Sequence, residues 1–290
     1  MKKLNIFFMK SKAYNKTYKR KTFDPKVNGP KGESFSVSRS KIDLFMECPR
    51  CFYLDLRHGI SRPSTPPFTL NSAVDTLLKK EFDIHRAEGT AHPLMKEYGV
   101  KVVPFPHPNL SEWRHNFTGV RFLHKPTNFL VFGAIDDIWT NEKGELFIVD
   151  YKATSKDAGV KKLEDTRWHN QYKRQMEIYQ WLFKQNGFDV SDTGYFVYVN
   201  GRKDKEAFDG KLEFDANLIS YTGKSDWIPA VLQEMLACLQ SDKMPRPGQE
   251  CQYCGYSAKR FELAQSMSVK STKFKVESKK EENTGSMFEI

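Results

Sequence analysis

GAIDDIWTNEKGELFIVDYK, residues 133–152, decides how the rest of the chain is read. Two apolar runs flank Asn141-Glu-Lys-Gly144, a composition that favours a tight turn. This predicts a β-hairpin centred near residue 143. In such a hairpin Asp136 faces Asp150 across the strands, on one side of the ribbon, with Cβ atoms about 5 Å apart. Lys152, two residues beyond Asp150, shares that side. Two carboxylates and an amine therefore stand among Ile, Val and Phe, where a core belongs.

Facing carboxylates repel each other, and in an apolar wall each also loses hydration. Protonation of one, pairing of both with Lys152, or a divalent cation between them would each offset that cost. Hard carboxylate oxygens suit Mg²⁺ or Mn²⁺. An amine beside such an ion would hold a water or a phosphate oxygen, and together they form a toolkit for phosphodiester hydrolysis. A buried salt bridge, or strand-end charges reaching solvent, is the plainer reading of the acid pair and lysine alone.

The pattern continues downstream. GAID ending at Asp136, IVDYK ending at Lys152, and a helical segment carrying Gln175 and Tyr179 resemble the PD-(D/E)XK nuclease superfamily, specifically its RecB-like branch. The i, i+4 spacing sets Gln175 and Tyr179 on one helix face. The resemblance implies an α/β fold with a restriction-endonuclease-like core, a mixed central sheet flanked by helices. It implies that Asp136 and Asp150 bind the metal, with the Tyr151 carbonyl as a further ligand. It also implies that Lys152 positions the attacking water, and that Gln175 and Tyr179 shape the site or touch the substrate. Many relatives complete the metal site with a His on an early helix. The matching segment here, Asn71-Ser-Ala-Val-Asp75, carries Asp75 instead. An aspartate ligates Mg²⁺ well; a solvent-facing helical acid is the alternative.

Cys48-x-x-Cys51 and Cys251-x-x-Cys254 bracket this core. Each pair can grip one metal, and two pairs supply four thiolates. AddB-type and CRISPR-associated exonucleases, which the chain resembles, often hold a 4Fe-4S cluster on one Cys of an early C-P-R motif and three late ones. Cys48 matches the first, and Cys251 and Cys254 match two of the later three. No Cys stands near Arg260, where the last would fall, so Cys51 completes a two-plus-two set that is equally natural for Zn²⁺. In either case the metal staples the start of the domain to its end. Cys238, in an apolar helical pattern, reads as a small buried residue.

The chain has 290 residues, 39% of them hydrophobic, enough for a sizeable core. Its net charge of +10 suggests a polyanionic partner, but residues 1–34 alone carry ten Lys/Arg against two Asp/Glu. Residues 1–36 therefore read as a basic disordered arm, 37–265 as the nuclease-like domain closed by its cysteines, and 266–290 as a polar disordered tail. Within the domain, Ser40-Lys-Ile-Asp43 resembles a capping box and Pro49 interrupts the helix it opens. Further helices are expected over 71–86, 168–186 and 227–240. Strands are expected at GVKVVPF, TGVRFLH, TGYFVYVN and GKLEFDANL, and MPRPGQECQYCGYSA reads as irregular. No stretch approaches the ~20 apolar residues of a membrane span, and LNIFFM makes a poor signal peptide. A cytoplasmic protein is expected, with its five cysteines serving metal or packing.

These readings converge on a Mg²⁺- or Mn²⁺-dependent nuclease acting on DNA, single-stranded or at duplex ends, in repair, recombination or mobile-element processing. The chain has no G-x-x-x-x-G-K-[ST] motif, so ATP-driven movement would come from a helicase or recombination partner. The alternative is a non-catalytic nucleic-acid-binding or complex-assembly module that keeps the fold.

Overall fold

A computed structural model of the chain describes residues 21–267; residues 1–20 and 268–290, which hold most of the expected arm and tail, lie outside the described residues. The body opens with β1 (Phe35–Ser38) and α1 (Arg39–Glu47). A single residue, Cys48, separates α1 from α2 (Pro49–His58). Proline has no N–H to continue α1 but suits the first turn of α2, so Pro49 ends one helix and starts the next. The capping box expected at Ser40 does not form. The N-cap is Ser38, whose hydroxyl bonds that of Ser40 at 2.9 Å rather than a backbone N–H.

Next come α3 (Thr69–Glu88), α4 (Pro93–Glu97), β2 (Val103–Pro104), α5 (Leu110–Trp113), β3 (Val120–His124), β4 (Phe129–Gly133), β5 (Asp137–Thr140) and β6 (Leu146–Thr154). The chain then forms α6 (Arg167–Gln185), β7 (Thr193–Gly201), β8 (Phe214–Thr222) and α7 (Ile228–Gln240). A last helix, α8, covers 252–267. This corrects the irregular reading of the second cysteine segment: only the Pro/Gly portion before Cys251 is irregular.

Five strands form the main sheet in the order β2-β5-β6-β7-β8. β6 and β7 are parallel, joined through α6, and the other neighbours are antiparallel. This is the mixed α/β sheet flanked by helices that the motif implied. The first six residues of β6 are buried, as a central strand covered on both faces requires. On one face Ile138, Ile148 and Phe196 pack with Met176, Leu182 and Phe183 of α6 and with α7. On the other, Trp139, Phe147, Val149 and Tyr151 pack with Phe82 of α3. α6 and α3 thus sandwich the sheet.

β4 pairs antiparallel with β3 and parallel with β1, forming a separate three-stranded sheet. The sequence reading placed no strands at β1 or β4. Phe35, Phe129 and Val131 are nonetheless buried there, and Phe23 packs edge-on against both phenylalanines. Residues 21–34, assigned to the arm by their composition, accordingly contribute to the folded body. Among the described residues no helix is long and apolar enough to cross a membrane.

Candidate active site and cysteine cluster

The β5–β6 ladder pairs Asp137 with Val149 and Thr140 with Leu146, the register that a turn near residue 143 predicts. Asp136 immediately precedes the ladder and lies opposite Asp150. Its Oδ2 accepts a 2.8 Å hydrogen bond from the Tyr151 backbone N–H, which ties the loop to β6. Asp136, Asp150, Lys152, Gln175 and Asp75 all line one cavity of about 450 Å³ between α3 and α6, together with Phe68 and Tyr172. Tyr151 contributes here through its backbone. Its ring lies in the core on the α3 side, and its hydroxyl donates to Asp137 Oδ2 at 2.7 Å.

Asp150 is only 1% exposed. Gln175 Nε2 donates to its Oδ1 at 2.7 Å, and the Lys152 ammonium contacts its Oδ2. The same Gln175 amide accepts from Lys152 at 3.3 Å and lies 3.3 Å from the Tyr179 hydroxyl. One turn of α6 therefore holds the carboxylate and the amine in register. Tyr179 is seated by Gly133: a methyl group there would come within 2.6 Å of Tyr179 Cε1. The glycine that begins GAID is thus explained by close packing against the tyrosine of the downstream helix.

Burial, aided by Asp136 and opposed by Lys152, pushes the Asp150 carboxyl up to about 6. Burial also disfavours the Lys152 ammonium, but Asp150 and Asp136 outweigh it and its pKa is raised. Lys152 is therefore a cation at neutral pH, suited to donate to a water or a phosphate oxygen rather than to act as a base. Asp75 is shifted up by burial and by Asp136 against the pull of Lys79.

Lys79, one helical turn beyond Asp75, was not singled out from the sequence. Its ammonium lies 2.8 Å from Asp75 Oδ2 and 3.3 Å from Asp136 Oδ1. The site then holds three carboxylates and two ammonium groups, a net charge of −1 when all are ionised. Three hard carboxylates facing one cavity, two of them raised in pKa by burial and by Asp136, form a donor set that fits Mg²⁺ or Mn²⁺. Their oxygens do not draw together as tightly as the four thiols described below, and Lys79 spans two of them.

Asp137 also escaped the sequence reading. It is fully buried and receives Arg86, Arg114, the Tyr151 hydroxyl and the Ile138 N–H. Arg114 in addition donates to the Asp136 carbonyl at 2.8 Å. The second acid of the DD pair is thus an anchor that fixes the backbone of the first. Arg39, at the start of α1, is a further cation here, with Tyr179, Asp43 and Asp150 raising its pKa against burial. Two cations of α6 are already paired, Arg174 with Asp43 and Arg167 with Glu47.

A family model for the PD-(D/E)XK nuclease superfamily matches residues 36–258. The chain belongs to the PD-(D/E)XK nuclease superfamily. Its mixed sheet flanked by helices is the restriction-endonuclease-like core of that superfamily. No curated protein sequence matches it. Among solved structures, one titled "Crystal structure of SSO0001" is similar over 78% of this chain and 85% of that chain, at 17% identity and a TM-score of 0.39, a likeness too loose to carry any argument.

Like the hairpin, the cysteine pairs come together as their spacing predicts. The Sγ atoms of Cys48, Cys51, Cys251 and Cys254 all lie within 4.8 Å of one another. Cys48 is fully buried between the end of α1 and the start of α2. Burial opposes its ionisation, but the backbone N–H groups of Gly248 and Cys51 point at its sulfur and bring its pKa down to about 7. This superfamily core is therefore closed by a four-sulfur group able to hold a metal. Cys238 stands apart in α7, partly buried against the main core.

Proposed function

We propose that this chain is a metal-dependent nuclease of the RecB-like branch that hydrolyses phosphodiester bonds in DNA. The observation that carries the reading is that Asp136, just before β5, and Asp150 of β6 line one cavity, with the Lys152 ammonium against Asp150. Asp136 and Asp150, with Asp75 and the Tyr151 carbonyl, would hold Mg²⁺ or Mn²⁺. Such an ion supplies a water of low pKa and relief of the charge that builds on phosphorus.

The chain's own residues do the rest. Lys152, kept protonated by two acids, offers an N–H to the attacking water or to a non-bridging oxygen. Gln175 fixes Asp150 and Lys152 relative to each other, and Tyr179 backs Gln175. One exposed aromatic side chain lines the site and a second lies along the helix that carries Gln175. Phe68 is 73% exposed at the cavity rim, and Trp168 is 66% exposed two turns before Gln175 on the same face of α6. Exposed rings of this kind give unpaired bases a surface to stack on, which favours single strands or frayed duplex ends as substrate. The assignment to repair, recombination or mobile-element processing, with a helicase or recombination partner in the cytoplasm, rests on the RecB-like pattern alone.

The test is incubation of the purified chain with labelled single- and double-stranded DNA in Mg²⁺ or Mn²⁺. Wild type should cut, and Asp150→Ala and Lys152→Ala should not. Cleavage retained in both variants would sink the assignment.

A further inference from the structure

The resemblance that points to a nuclease also points to an iron–sulfur cluster held by one early and three late cysteines. The cysteine geometry of this chain disagrees. We infer that its four thiols bind a single tetrahedral Zn²⁺.

Three sulfur pairs are separated by 3.5, 3.6 and 3.7 Å, and the whole set falls within 4.8 Å. Four thiolates around one Zn²⁺, each about 2.3 Å from the metal, stand ~3.8 Å from one another. A 4Fe-4S cluster needs more room. Each thiolate caps a different iron at an outer corner of the cube, so the sulfurs must stand further apart than this group does. The available cysteines agree with the distances. No third late cysteine exists, and Cys238, the fifth in the chain, lies in α7 outside the cluster.

The two pairs are also built alike. Cys48 caps α2 and Cys51 follows in its first turn; Cys251 stands just before α8 and Cys254 follows in its first turn. Two helix N-termini thus converge on the sulfurs, which favours thiolates. Further positive charge comes from Arg62, whose Nη2 lies 3.6 Å from Cys251 Sγ, and from the Gly248 N–H at 3.2 Å from Cys48 Sγ. These donors partly offset the net −2 of a Zn²⁺ with four thiolates, the Arg62 charge being shared with Glu47. The ion ties the α1–α2 junction to the start of α8 across some two hundred residues of chain.

The experiment is metal analysis of the full chain purified anaerobically from cells supplied with both iron and zinc. The expected result is one Zn per chain, no absorption near 400 nm, and no uptake when the chain is offered ferrous iron and sulfide. Replacing the ion with Co²⁺ should produce the visible bands of a tetrahedral thiolate site, and Cys254→Ser, at the least buried of the four, should lose them. About four Fe per chain with a broad 400 nm band overturns the inference, as does a chain with no bound metal and four freely titrating thiols. These readouts are separate from cleavage, so a chain that holds Zn²⁺ but never cuts DNA would refute the nuclease reading and leave this one intact.

Discussion

The Lys79 ammonium lies 3.3 Å from Oδ1 of Asp136, reaching it from α3 while also holding Asp75 at 2.8 Å. A side-chain cation thus stands where two carboxylates would share a metal. Burial disfavours that ammonium, but Asp136 and Asp75 outweigh the penalty and raise its pKa. Lys79 competes with any divalent ion for the same oxygens. Lys79→Met should therefore bind Mn²⁺ more tightly than wild type in the absence of DNA. The pairs are partly exposed, so together they are worth about 1 kcal/mol and the expected gain is about fivefold in affinity. Isothermal titration calorimetry reads this directly. A role in holding the fold alone would make Mn²⁺ binding weaker, the opposite sign.

The pH dependence follows from Asp150, whose folded pKa of about 6 lies above its ordinary 3.8. Between these values the folded state binds more protons than the unfolded state, so stability falls as pH rises through that window. Compared with Asp150→Asn in metal-free buffer, wild type should lose about 2 kcal/mol between pH 4 and pH 7. A metal must displace the same proton, so Mn²⁺ affinity should drop about tenfold per pH unit below pH 6. Parallel stability–pH curves for the two proteins would show that Asp150 is not the titrating group.

Asp137 has no exposed surface and depends on Arg86 and Arg114 for its charge balance. Removing one partner of a buried pair leaves charge poorly compensated, at a cost of about 3 kcal/mol. Arg114→Met should lower the urea midpoint accordingly. It should also weaken Mn²⁺ binding, because Arg114 also fixes the Asp136 carbonyl. Unchanged metal affinity in a folded Arg114→Met protein would argue against the anchoring role.

Gly133→Ala should destabilise the protein by about 1–3 kcal/mol, because its methyl group meets the Tyr179 ring. Combining it with Tyr179→Ser, which removes the ring, should recover part of that loss. A double-mutant cycle measured by chemical denaturation gives the coupling, and strict additivity would contradict the contact.

The hairpin register was legible because a polar turn and two apolar runs fix which residues face each other, and the ladder pairs Asp137 with Val149, one step from Asp136 and Asp150. The cysteine pairs were legible because each needs only a helix start to bring two sulfurs together. Lys79 carried a faint signal, its spacing of four residues from Asp75, but a solvated i, i+4 pair reads the same way. Asp137 carried none, since its partners Arg86 and Arg114 come from distant segments. β4 was hidden because the turn at Asn128, which has a positive φ of 56°, lacks the glycine that would mark it. Phe23 sat in a lysine-rich stretch whose composition masked one core residue.

The most direct test of the central claim is the single-turnover rate of DNA cleavage as Mn²⁺ is titrated, compared between wild type and Asp136→Asn and Asp150→Asn proteins shown to be folded. The account predicts a wild-type rate that rises from nothing and saturates with the ion, and losses of about 10³-fold or more in both variants. Cleavage without added metal after chelation, or equal rates in the three proteins, would contradict it.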